Sequence, residues 1–178
     1  MKGRSIFVTG GCRSGKSGYA LDRAGRIKGE NRIFLATSVP SDPEMEERVR
    51  THREERGDAW STVEEPEVIH ERIEEFKQSA DVILVDCLTL WISNLLVNGY
   101  DEHHVKDRVE RLQKALCKNG CPVFLVSNEV GCGVVPENRL SRAFRDLAGY
   151  ANQQTAKTAD DVVWMVSGIP VRIKQDFN

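Results

Sequence analysis

Apolar residues along this chain fall into short unbroken runs separated by longer stretches in which they recur every three or four positions. The runs at 5–9, 32–36, 82–85, 122–126 and 161–166 are rich in Val, Ile, Leu and Phe and carry almost no polar alternation. A strand with one wet face alternates; a strand covered on both faces does not, so these runs predict buried strands of a mostly parallel sheet. Between them, 19–27, 66–76, 88–96, 101–118 and 138–159 have helical spacing. In the second of these, Val68, Ile69, Ile73 and Phe76 fall on one face. A polar segment opening at Pro43 predicts a charged helix over 44–56, ending near Gly57, with Trp60 in a short extended piece after it. Residues 168–173 predict a hairpin arm against the run before them. Strand and helix alternate throughout. The fold class predicted is α/β, one domain spanning 1–178, with ligands beyond the carboxyl ends of the strands.

The first strand leads directly into Gly10-Gly11-Cys12-Arg13-Ser14-Gly15-Lys16-Ser17, which fits G-x-x-x-x-G-K-[ST] in the strand–loop–helix setting that this pattern requires. Glycines let the backbone wrap a phosphate chain, the following helix start adds partial positive charge, and Lys16 adds a full one. Ser17 is placed to ligate Mg²⁺. Asp86 ends the run 82–85, as a Walker-B carboxylate would, and holds Mg²⁺ directly or through water; the other reading is a cap for the helix beginning at Leu88. Cys12 is either a small loop filler or a low-pKa thiol.

Composition narrows the partners. Of 178 residues, 25 are Lys or Arg and 27 Asp or Glu, a net charge of −2, which argues against general nucleic-acid binding. No apolar stretch approaches a membrane span, and a cytoplasmic location is expected. Five cysteines without a C-x-x-C pair predict free thiols. His70, His103 and His104 lie in polar helical stretches and are expected to be solvated.

Three further groups are candidates. His52 shares a helix face with Arg48 and Arg56, with Arg53 nearby; spacing alone leaves it either a solvated residue or a neutral nucleophile among phosphate-attracting cations. Asn128 and Glu129, leaving the fourth apolar run, either position substrate or bond their own loop. Arg139, Arg142 and Arg145 recur every third residue and either meet phosphates or form a solvated face.

Taken in order, the phosphate loop, Ala36-Thr37-Ser38, Glu44-Met45, the string from Arg48 through His52 to Arg56, Trp60, the string from Ser127 to Arg139, the string from Phe144 to Gly149, and Asn152-Gln153 resemble the bifunctional adenosylcobinamide kinase/adenosylcobinamide-phosphate guanylyltransferase family, from Phe7 to Lys174. The resemblance implies a RecA-like P-loop fold, mostly parallel, with helices on both faces, assembled as a homotrimer. It implies phosphorylation of adenosylcobinamide by GTP or ATP, then transfer of GMP from GTP through a guanylylated histidine. On this chain that histidine is His52. The implied catalytic set is His52, Lys16 and Asp86. The implied nucleotide contacts are Gly10, Gly11, Cys12, Arg13, Ser14, Gly15, Lys16, Ser17, Ala36, Thr37, Ser38, Arg53, Glu54, Glu55, Arg56, Glu64 and Asp86, with Ser17 and Asp86 on the metal. Thr51 stands where some members carry a second histidine, and Asp86 where some carry Glu.

Overall fold

The computed structural model describes residues 3–39, 47, 57–117 and 120–175. The expected helix over 44–56, with His52 and Arg53 to Arg56, lies outside the described residues apart from Glu47.

In chain order the described elements are β1 (Ser5–Gly10), α1 (Lys16–Gly25), β2 (Arg32–Ala36), a 3₁₀ turn (Gly57–Ala59), β3 (Ser61–Glu64), α2 (Ile69–Phe76), β4 (Val82–Asp86), α3 (Leu88–Val97), α4 (Glu102–Leu116), β5 (Val123–Asn128), α5 (Arg139–Thr158), β6 (Asp161–Val166) and β7 (Ile169–Gln175). All seven strands form one sheet in the order β3-β2-β4-β5-β1-β6-β7. Six are mutually parallel and β7 returns antiparallel to β6.

The uniform runs are explained by cover on both faces. Phe7, Ile33, Leu35, Ile83, Val85, Val123 and Leu125 point to one side, where α2, α3, α4 and α5 bring Ile69, Ile73, Trp91, Val109 and Leu147. Their neighbours Ile6, Val8, Phe34, Val82, Leu84, Phe124 and Val126 point to the other, against Ala20 and Ala24 of α1. Trp91 is wholly buried, and its indole N–H donates to the Glu67 carbonyl at 2.7 Å, so its polar edge carries no desolvation penalty.

Two connections leave this sheet in opposite directions. The helix after β1 lies on the α1 face and carries the chain to β2, whereas the helix after β5 lies on the other face and carries it across β1 to β6. β1 and β5 are neighbours, and their carboxyl ends flank the crevice that such a reversal opens.

One expectation is corrected. His70 is buried, only 6% exposed, because the helix that reads as polar turns this residue inward among α2 and α4. Burial first, then the Arg108 and Arg111 guanidinium groups, push its pKa below the ordinary value; Glu71 and Asp107 pull the other way. His103 and His104 are exposed as expected, His104 lying 2.8 Å from the Asp101 carboxylate.

Candidate functional site

The loop after β1 is built from conformations that its residues dictate. Gly15, the residue before α1, sits at φ 87°, a left-handed position that glycine takes without strain. A side chain on Gly10 would meet the Met165 carbonyl and the Ser14 Oγ, each at 2.6 Å. The Ser14 amide donates to the Gly11 carbonyl at 3.2 Å, and Lys16, 8% exposed, folds back so that its Nζ donates to the same carbonyl at 3.1 Å. Gly11, Cys12, Arg13 and Gly15 are exposed around this buried lysine, and Ser17 is half-buried. The hairpin between β6 and β7 supports the loop from behind: the Gly168 amide donates to the Ser14 carbonyl at 3.0 Å.

Across the sheet, register aligns the other candidates. Ala36 is the partner of both Glu64 and Asp86, so the ends of β3, β2 and β4 lie level, and Gly10 pairs with Asn128. Glu64 is exposed there, and Ser38 is half-buried just beyond β2. Thr37 is wholly buried: its hydroxyl accepts from the Cys87 amide at 2.7 Å and donates to the Cys87 carbonyl at 2.8 Å. What Thr37 supplies is the position of the Asp86–Cys87 backbone. Asp86 is the last residue of β4, and the residue capping α3 is Cys87, which makes no side-chain cap bond. Burial, with the Asp86 carboxylate second, pushes the Cys87 thiol up to about 11, while the Lys16 ammonium opposes the rise.

At the end of β5, polar groups fix the backbone. The Thr89 hydroxyl accepts from the Asn128 amide at 2.7 Å and lies 3.1 Å from Ser127 Oγ, and the buried Asn152 donates to the Asn128 carbonyl at 3.0 Å. The Glu129 amide donates to the Gly10 carbonyl at 2.9 Å, and its Oε1 accepts from the Gly131 amide at 2.8 Å. Glu129 thus bonds its own loop with one oxygen. Arg142 donates to the carbonyls of Pro136, at 3.0 Å, and Glu137; Arg145 pairs with Asp146; Arg139 is exposed. Thr89 is the supporting residue that sequence reading missed; Asn152 stands in the family string and Gly168 in the expected hairpin arm, with no supporting role given to either. Only a polar residue in an otherwise apolar helix start hinted at Thr89.

Among the described residues no cluster of three or more His, Cys, Asp or Glu side chains suits a metal. A hydroxyl from Ser17 and a carboxylate from Asp86 are hard oxygen donors, which fit Mg²⁺ shared with phosphate oxygens rather than a closed all-protein cage. All five cysteines are free, and no helix among the described residues is long and apolar enough to cross a membrane.

A parallel sheet with a phosphate loop at the switch between β1 and β5, and an acid ending β4, defines a RecA-like P-loop nucleotide-using enzyme. The flagellar accessory protein FlaH from Methanocaldococcus jannaschii superposes with a TM-score of 0.55 at 14% identity, over 98% of this chain and 80% of that one, a likeness of fold. The family model described as cobinamide kinase / cobinamide phosphate guanyltransferase matches residues 6–173, and the chain belongs to that family. It is 40% identical to the bifunctional adenosylcobalamin biosynthesis protein CobU of Escherichia coli (strain K12), over 95% of this chain and 99% of that one. It is 37% identical to the bifunctional protein CobP of Pseudomonas aeruginosa, over 94% and 96%.

Proposed function

We propose that this chain, as one domain of residues 1–178, phosphorylates adenosylcobinamide from GTP or ATP and then converts the product to adenosylcobinamide-GDP with GTP. The observation that carries this reading is the exposed glycine loop wrapped around the buried Lys16 at the carboxyl end of β1, in a chain of the cobinamide kinase / cobinamide phosphate guanyltransferase family. In the first reaction Lys16 leaves the Gly11 carbonyl for a nucleotide phosphate, and the acceptor hydroxyl displaces the nucleoside diphosphate from the γ-phosphorus. Ser17 and Asp86 would hold Mg²⁺, which would supply charge to offset that developing on the phosphate oxygens. In the second, a His52 ring nitrogen attacks the α-phosphorus of GTP, a P–N bond forms, pyrophosphate leaves and the ring loses its proton. An oxygen of the corrinoid phosphate then displaces His52 and takes the GMP.

Ala36, Thr37, Ser38, Arg53, Glu54, Glu55, Arg56 and Glu64 complete the nucleotide contacts in this reading. The enzyme works in the cytoplasm as a homotrimer. Association of copies is supported by the apolar face of the β6–β7 hairpin, where Trp164, Val166, Ile169 and Val171 are exposed side by side, and the number three by the family resemblance. Light scattering after gel filtration measures the assembly.

Incubation with GTP labelled at the α-phosphorus, and Mg²⁺ but no corrinoid, tests the central step. The expected result is one acid-labile GMP on His52, lost in His52→Asn, with adenosylcobinamide phosphorylation retained. Transfer of γ-phosphate without an adduct would leave a simple kinase, and hydrolysis alone an NTP-binding module.

A further inference from the structure

Apart from Val39, the large apolar side chains exposed among the described residues fall in two places. One is the β6–β7 hairpin face described above. The other is a concave lip on the opposite side of β1, formed by the segment after β5, the first turns of α5 and the end of α3. Val134 is 94% exposed, Val135 61%, Leu140 55% and Val97 72%. Val97 and Leu140, together with Leu96 and Phe144, line a groove of about 180 Å³ with the hydroxyl groups of Ser93 and Ser141 at its wall.

The segment carrying the two valines is pinned at both roots. Glu129 bonds Gly10 and Gly131 at one end; at the other, Arg142 holds the carbonyls of Pro136 and Glu137, and Asn138 accepts from the Ser141 amide at 2.7 Å. Apolar side chains held at the surface by a fixed backbone, rather than turned into the adjacent groove, mark a surface made for a partner. Its place narrows the choice. β5 lies between β1 and β4, with Asn128 opposite Gly10 and Val126 opposite Asp86, so the lip springs from the strand next to both halves of the nucleotide site.

We propose that this lip and groove bind the corrinoid acceptor, an assignment that rests on the reaction proposed above. A corrinoid has methyl-studded faces and an amide-bearing rim, and it is too large for a groove of this volume to enclose. It must lie across a surface, with apolar faces on Val97, Val134, Val135 and Leu140 and rim amides within reach of Ser93 and Ser141. In the second reaction the acceptor is a phosphate ester, and the exposed Arg139 at the start of α5 supplies the complementary charge.

The test compares the wild-type chain with Val134→Asp/Val135→Asp, Val134→Ile/Val135→Ile and Arg139→Ala. A charge on an exposed loop tip leaves the core untouched. The Asp pair should raise KM for adenosylcobinamide at least tenfold, while the Ile pair keeps it and GMP labelling of His52 by GTP alone persists in both. Arg139→Ala should raise KM for the phosphorylated acceptor more than for the hydroxyl form. An unchanged corrinoid KM in the Asp pair overturns the assignment, as does a fall in assembly mass accompanied by loss of GMP labelling, which would make the lip an interface between copies. A wild-type chain that forms the adduct but phosphorylates no corrinoid overturns the underlying reaction, a result distinct from the other two.

Discussion

The hydroxyl of Thr37 makes two hydrogen bonds to one residue, accepting from the Cys87 amide and donating to the Cys87 carbonyl. With the Thr37 amide donating to the Asp86 carbonyl at 3.2 Å, this clamp joins the ends of β2 and β4 and fixes the peptide that carries the proposed metal ligand.

Thr37→Val keeps the shape and leaves the buried Cys87 N–H without a partner, at about 1–3 kcal/mol, while the Cys87 carbonyl keeps its bond from the Trp91 amide. Urea unfolding should therefore show a lowered midpoint, and Thr37→Ser should restore most of it. A midpoint equal to wild type in the Val variant would show that the clamp contributes nothing.

Lys16→Ala removes the charge that the loop surrounds. A hydrogen bond to a charged group contributes about 1.5–3 kcal/mol, so GTP affinity should fall about 10- to 100-fold and both half-reactions with it. Equilibrium titration with a fluorescent GTP analogue reads the change, and circular dichroism checks that the fold persists.

Asp86→Asn keeps the size of a ligand and loses its charge. Turnover should then need several times more Mg²⁺, with thermal unfolding little changed. An unaltered Mg²⁺ titration would favour a purely structural aspartate.

Cysteine labelling reports the loop directly. Cys12 is exposed within it, whereas Cys87 and Cys121 are buried, with thiols pushed up to about 11. Iodoacetamide at pH 8 should modify Cys12 and spare Cys87 and Cys121 in the native protein. Mg²⁺ and GTP should slow the reaction at Cys12, read by peptide mass spectrometry.

His70 sets a pH dependence with a definite sign. Its folded pKa is depressed below the ordinary 6.5, so as pH falls through 6.5 the unfolded chain gains a proton that the folded chain does not. The unfolded state is thereby favoured: the full stability is present above 6.5 and declines as pH drops toward the folded value. His70→Leu should flatten this decline between pH 7.5 and 5 when denaturation midpoints are compared. An equal slope in both proteins would assign the decline to other groups.

Much of this architecture is written locally. The runs ending at Val85 and Val126 carry apolar residues to both faces of the sheet, so their burial can be read without knowing their neighbours. The loop from Gly10 to Ser17 is legible for a similar reason: glycine and lysine at that spacing leave few other uses. His70 misleads because its neighbours Glu71, Arg72, Glu74 and Glu75 are polar, and only the docking of α4 decides which side of the helix is wet. Glu65 was equally silent. Burial opposes its ionisation, yet bonds from the Val68 and Glu67 amides and the Arg72 guanidinium outweigh it and hold the carboxyl below its usual range at the entrance to α2. Thr37 with Cys87, and Ser14 with Gly168, meet across spans of chain in which no periodicity records the partner. The assignment of His52 rests on the family string around it.

The bond from Gly168 to Ser14 ties the order of synthesis to the order of assembly. The ribosome makes the glycine-rich turn early and the hairpin that backs it only after α5 has emerged. A nascent chain carrying everything through α5 has the lysine and the acid but lacks the strand pair that holds the turn in shape. Nucleotide in the cell can therefore stabilise the completed polypeptide by mass action, but it gives little protection to one still being translated.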